Sequence, residues 1–136
     1  VTMVVLDTNA LMMPVECDVR VFEDLDRLVD DPDLVTPEAV VAELEKLATG
    51  AGEEAAAASV GRDLAERCRV AETTEQYADD AVVELAAGGA GSGADADTGF
   101  DGYVVTNDRP LRERLLARGV RVIGLRGANT LAITEP

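Results

Sequence analysis

The residues best suited to chemistry in this chain are acids at a few telling positions. They are Asp7 in Leu6-Asp7-Thr8-Asn9, Glu43 among Val40, Val41, Leu44 and Leu47, the pair Asp79-Asp80, and Asp108 in Val105-Thr106-Asn107-Asp108. Carboxylates gathered at one point repel each other and take up protons unless a cation neutralises them. The 136 residues include no histidine and only two cysteines, Cys17 and Cys68, so oxygen is the donor type on offer. Oxygen ligands select a hard ion, Mg²⁺ or Mn²⁺, held through a few carboxylates and waters. Catalytic triads, His-ligated zinc and haem-His chemistry are excluded. Thr8, Asn9, Thr106 and Asn107 stand beside two of the acids and can orient carboxylates or waters. Taken singly, each acid also has an ordinary explanation, because about one position in five is acidic. Asp80 can complement a helix N-terminus and Asp108 can cap a helix.

These acids must be positioned by alternating strands and helices. The short apolar, β-branched run at 1–6 reads as a strand buried in a parallel sheet, and 33–36, 69–72, 102–106 and 120–125 are further strand candidates. Between them, helical spacing is seen in Val21, Leu25, Leu28 and Val29 after Pro14, and from Pro37 to about Leu47 with Thr36 as cap. Further helices are expected over roughly 53–68, from Thr74 or its neighbour to Ala87, and over 110–118 ahead of Gly119. Strands separated by helices imply right-handed crossovers around a parallel sheet. In such sheets ligands bind beyond the carboxyl ends of the strands, where the strand order switches. Asp7 directly follows the first strand and Asp108 comes after the fourth, in Val105-Thr106-Asn107-Asp108; Glu43 and the 79–80 pair lie in helices that follow strands. The segment 88–99, built of Gly, Ala, Ser, Asp and Thr, reads as a flexible loop inserted into one domain spanning 1–136.

Composition bounds the rest. Hydrophobic residues make up 47% of the chain, enough for a core without disulfides or structural metal. No apolar run approaches a membrane span and no signal-peptide layout is visible, so a soluble, cytoplasmic protein is expected. The net charge is −15, from 27 acids and 12 basic residues of which one, Lys46, is lysine. An acidic, alanine-rich, lysine-poor chain resembles proteins of salt-loving archaea, and global charge then says little about partners. Locally the sign reverses: six arginines and one acid lie between Arg109 and Arg126.

The ordered set of Asp7-Thr8-Asn9, the Glu43 helix, the Asp79-Asp80 helix start and Thr106-Asn107-Asp108 resembles PIN-domain nucleases. Asn9-Ala10-Leu11-Met12-Met13-Pro14 and Glu43-Leu44-Glu45-Lys46-Leu47 are similar to the archaeal, VapC-like branch related to eukaryotic ribosome-biogenesis PIN nucleases. The resemblance implies a three-layer α/β/α domain with a five-stranded parallel sheet, Mg²⁺ or Mn²⁺ dependence, and endonucleolytic hydrolysis of single-stranded RNA. Toxin, RNA quality control and ribosomal RNA processing are the roles it offers, with a homodimer and an antitoxin protein as partners and no membrane. Carried over by position, Asp7, Glu43, Asp80 and Asp108 match the acidic site, with Asp79 competing for the third place. Arg109, Arg112 and Arg114 are the candidate contacts to the RNA backbone. The alternative is a non-catalytic PIN-fold RNA-binding or assembly factor. A phosphoryl-aspartate enzyme fits less well, because Asn9 stands where its second acid would be, and a receiver domain would need a late lysine.

Overall fold

The computed structural model describes residues 2–87 and 100–136. The loop expected at 88–99 lies outside the described residues. Strands β1 (Thr2–Leu6), β2 (Pro32–Pro37), β3 (Arg69–Ala71), β4 (Tyr103–Val105), β5 (Arg121–Arg126) and β6 (Thr130–Thr134) form one sheet in the order β3-β2-β1-β4-β5-β6. The first five are mutually parallel and β6 runs antiparallel to β5. The sheet is therefore mixed and six-stranded, not the five-stranded parallel sheet expected. Gly127, with φ of 72°, lets the chain turn back after β5 so that Leu131 buries on the core.

β1 is central, and its Val4, Val5 and Leu6 are wholly buried, as strands covered on both faces require. It pairs with β2 on one side and β4 on the other, so the chain order reverses at β1. The helices are α1 (Thr8–Glu16), α2 (Val21–Leu28), α3 (Glu38–Ala48), α4 (Gly52–Leu64), α5 (Ala78–Ala87) and α6 (Arg109–Ala117). Right-handed crossovers carry α1 to α4 over one face of the sheet and α5 and α6 over the other. α1 and α3 both pack on α4, whereas α5 packs on β1, β2, β4 and α6 and also touches α3. No helix among the described residues is long and apolar enough to cross a membrane.

Three local features differ from the pattern read in the sequence. α1 forms in spite of Pro14, because its buried face of Ala10, Leu11, Met12 and Met13 is anchored on the core. Thr36 does not cap α3; its hydroxyl donates to the Leu6 carbonyl at 2.9 Å and stitches β2 to β1, leaving extended Pro37 as the cap residue. α5 begins at Ala78, about a turn later than expected, since Thr74 and Glu75 are occupied in a different way: their backbone N–H groups donate to the Glu84 carboxylate.

Candidate active site

The reversal of strand order at β1 opens a cleft of about 370 Å³ beyond the carboxyl ends of β1 and β4, bordered by Asp7, Thr8, Asn9, Met12, Glu16, Glu43, Leu47, Glu54, Asp79 and Asp108. At its floor lies Asp7, only 3% exposed. One oxygen of Asp7 caps α1 by accepting from the Ala10 N–H at 2.7 Å, and the other accepts from the Thr106 hydroxyl at 2.5 Å. The Thr106 oxygen in turn accepts from the Asp108 N–H at 3.0 Å, and Asp108 caps α6 by accepting from Leu111 N–H at 3.2 Å. Two strand ends and two helix starts are thus tied through one hydroxyl.

The walls come from the helices. Glu43 is exposed at the rim and accepts a hydrogen bond from the Thr8 hydroxyl. It does not interrupt the buried face of α3 as the apolar neighbours suggested, for that face is carried by Val40 and Leu44. Asp79 borders the cleft, while Asp80 turns toward α6 and pairs with Arg114 at 3.1 Å. Asp80 is therefore outside the acid cluster that it was expected to join. Asn9 lines the cleft; Asn107 is exposed next to it in sequence but does not border it. Of the arginines, Arg109 pairs with Glu113 at 3.4 Å and Arg114 with Asp80, whereas half-buried Arg112 has no acidic partner among the described residues.

Glu16 and Glu54 were not singled out from the sequence. Glu16 ends a helix that was not read in the sequence, and Glu54 borders the cleft from α4, which small residues bring close to α1. The available signal for Glu16 was its spacing from Asn9 and Met12, which at 3.6 residues per turn puts all three on one side of a helix.

Burial pushes the Asp7 carboxyl up to about 7, against the opposing pull of the Thr106 and Ala10 hydrogen bonds, and the charges of Asp79 and Asp108 push in the same direction. Asp79 is also raised, first by partial burial and then by Asp108 and Glu43. The cleft is thus a place where negative charge is held under repulsion. A divalent cation is what such a place favours. Among the described residues no three acidic side chains converge into a ready cage for a metal ion. The donor set nonetheless fits Mg²⁺ or Mn²⁺, because every polar donor is a hard oxygen or an amide and such ions are held by one or two carboxylates with waters completing the shell.

Fold and cleft together define an α/β domain with an acidic centre at its switch point. Residues 4–128 match the family described as PIN like domain, and the chain belongs to that family. No curated protein matches it in sequence. Among solved structures it is similar to the PIN domain endonuclease Utp24, with a TM-score of 0.72 and 22% identity over 98% of this chain and 92% of that one. It is also similar to a domain of a functionally unknown protein from Methanocaldococcus jannaschii, with a TM-score of 0.63 and 21% identity over 95% of this chain and 94% of that one. VapBC2 from Rickettsia felis, solved bound to a promoter DNA fragment, gives a TM-score of 0.55 and 13% identity over 92% of this chain and the whole of the other. At these identities the likeness is one of fold.

Proposed function

We propose that the protein is a divalent-metal-dependent endoribonuclease that hydrolyses phosphodiester bonds of single-stranded RNA in the acidic cleft. The observation that carries this reading is the buried Asp7 carboxyl, raised to about 7 and surrounded by further acids in a PIN-family fold. Asp7 and Asp108 are the residues assigned to ligate Mg²⁺ or Mn²⁺ directly, and Asp79, in the place first expected of Asp80, would reach the ion through water. Bound there, such an ion would neutralise charge at the phosphate and acidify water, so that no histidine base would be needed.

The chain's own residues do the remaining work. The Thr106 hydroxyl and Ala10 N–H fix the Asp7 carboxylate, so its free lone pairs keep one direction. Glu43, steadied by Thr8, stands at the rim as the group that accepts a proton from the attacking water. Asn9 orients water or phosphate at the wall. Asp80 keeps Arg114 against α5, which leaves Arg112 and Arg109 on α6 as the arginines for the RNA backbone.

A role among toxin action, RNA quality control and ribosomal RNA processing is proposed from the resemblance of the sequence motifs to VapC-like and ribosome-biogenesis PIN nucleases. The VapBC complexes among the similar structures support an antitoxin protein as partner, and a homodimer belongs to the same proposal. Origin in a salt-loving archaeon is proposed from composition, and a single domain spanning 1–136 from pattern. The test is cleavage of single-stranded RNA with Mg²⁺ or Mn²⁺ and with chelator, for wild type and Asp7→Asn. Metal-dependent cleavage by the wild type and its loss in Asp7→Asn is the expected result. RNA binding without cleavage by the wild type would favour the assembly-factor reading, and cleavage by Asp7→Asn would overturn the site assignment.

A further inference from the structure

The chain has four aromatic rings, and three are engaged. Phe22 is buried beneath the Arg67 guanidinium, which lies 4.2 Å from its ring centre. Tyr103 is covered by Arg121 at 4.1 Å, and its hydroxyl accepts from that arginine at 3.0 Å. Phe100 is half-buried against the core, with its ring edge beside Gly102. Tyr77 is 78% exposed, and among the described residues no cation or ring stacks on it.

Its position is specific. Tyr77 immediately precedes α5, two residues before Asp79, and two residues of chain reach at most about 7 Å. The bare ring therefore sits on the backbone that carries an acid into the cleft. That backbone is locked on both sides. Glu84 accepts from the Thr74 N–H at 3.0 Å, the Thr74 hydroxyl at 2.8 Å and the Glu75 N–H at 3.0 Å. The Tyr77 carbonyl accepts from the Ala81 N–H at 2.9 Å. An aromatic on a segment already ordered loses little chain entropy when something stacks on it.

From this we infer that Tyr77 is a stacking platform for one unpaired nucleobase of the RNA, adjacent to the bond that is cut. The inference rests on the ribonuclease reading above and narrows its substrate to RNA whose bases are splayed out rather than paired. A neutral π face also suits a chain of net charge −15, because stacking holds a polyanion without requiring a positive surface. The contribution of Tyr77 is accordingly independent of salt, unlike that of an arginine on a phosphate.

The experiment is steady-state cleavage of homopolymer RNA oligonucleotides of each base by the full chain with Mn²⁺, comparing wild type with Tyr77→Ala, Tyr77→Phe and Tyr77→Trp. KM should rise by roughly 5- to 150-fold in Tyr77→Ala with kcat retained, while the two aromatic variants stay near wild type. The fold-loss should be the same at low and high salt. Placing a single abasic nucleotide along the oligonucleotide should, at one position, reproduce the loss in wild type and add nothing in Tyr77→Ala. Unchanged KM in Tyr77→Ala, with wild type active, would overturn the platform and leave the ribonuclease reading standing. Equal losses in Tyr77→Phe and Tyr77→Ala would overturn it too, by pointing to the hydroxyl. Absence of cleavage by the wild type with either metal would overturn both.

Discussion

Thr106 has one hydroxyl proton, and its neighbours dictate where that proton points. The Asp108 N–H occupies a lone pair of the oxygen, so the proton is free to go to Asp7, where the 2.5 Å bond places it. Asp7 is nevertheless raised, because burial outweighs both hydrogen bonds. With the folded value about 7 and the ordinary value 3.8, the metal-free folded state binds a proton more tightly than the unfolded chain. Stability contributed by this proton is present below pH 4 and is lost as pH rises toward 7, with a slope of at most about 1.4 kcal/mol per pH unit. Asp7→Asn keeps the helix cap and has no proton to lose. In chelator, the stability gained by Asp7→Asn over wild type should therefore grow between pH 4 and 7, as read by denaturant unfolding; a difference that stays flat would refute the buried, repelled carboxylate. Asp7 and Asp108 were legible in the sequence because Asp7 follows β1 directly and Asp108 comes three residues after the end of β4. The choice between Asp79 and Asp80 was not, since neighbouring helical residues differ by about 100° in direction and the phase depends on where α5 starts.

Helix α4 depends on small residues for its approach to the rest of its layer. Ala55, Ala57, Ala58 and Gly61 are its buried positions. A Cβ on Gly61 would stand 2.9 Å from the Leu11 carbonyl oxygen of α1 and 3.2 Å from a Leu44 methyl of α3. Backbone cannot rotate away, so α4 must shift outward from the two helices that carry Asn9 and Glu43. Gly61→Ala should destabilise by about 1–3 kcal/mol in thermal or denaturant unfolding, in contrast to the gain that alanine gives in an open helix. Unaltered stability would show that these helices slide apart freely. Most of the parallel strands were readable as short apolar stretches between helical ones, and exposed β3, Arg69-Val70-Ala71, was readable from its place between two helices, which is why the layered architecture could be drawn from sequence. β6 was missed because it is a short edge strand with polar ends, whose only announcement is the Gly127 turn. α1 was missed because Pro14 argues against a helix locally, and only tertiary burial overrides it.

At the scale of the molecule, excess negative charge competes with scattered ion pairs. Pairs such as Arg69 with Asp33 at 2.7 Å and Arg62 with Glu45 at 2.9 Å lie at the surface, where each is worth little. Self-repulsion from a charge of −15 acts over the whole surface and is the larger effect. Raising KCl from about 0.1 M to about 1 M shortens the screening length from roughly 10 Å to roughly 3 Å, so the melting temperature should rise. A fall would mean that the pairs outweigh the repulsion.

The bond from Thr106 to Asp7 spans 99 positions, and β1 waits for β4 on one of its two edges. The order in which a chain is synthesised gives this distance a meaning. While the polypeptide is still growing, β1, β2 and β3 can assemble, but Asp7 has neither the hydroxyl that fixes it nor Asp108 across the crevice. An unfinished chain therefore carries half a centre. The acidic cleft is complete only once Thr106 and Asp108 have left the ribosome, a hundred residues after Asp7.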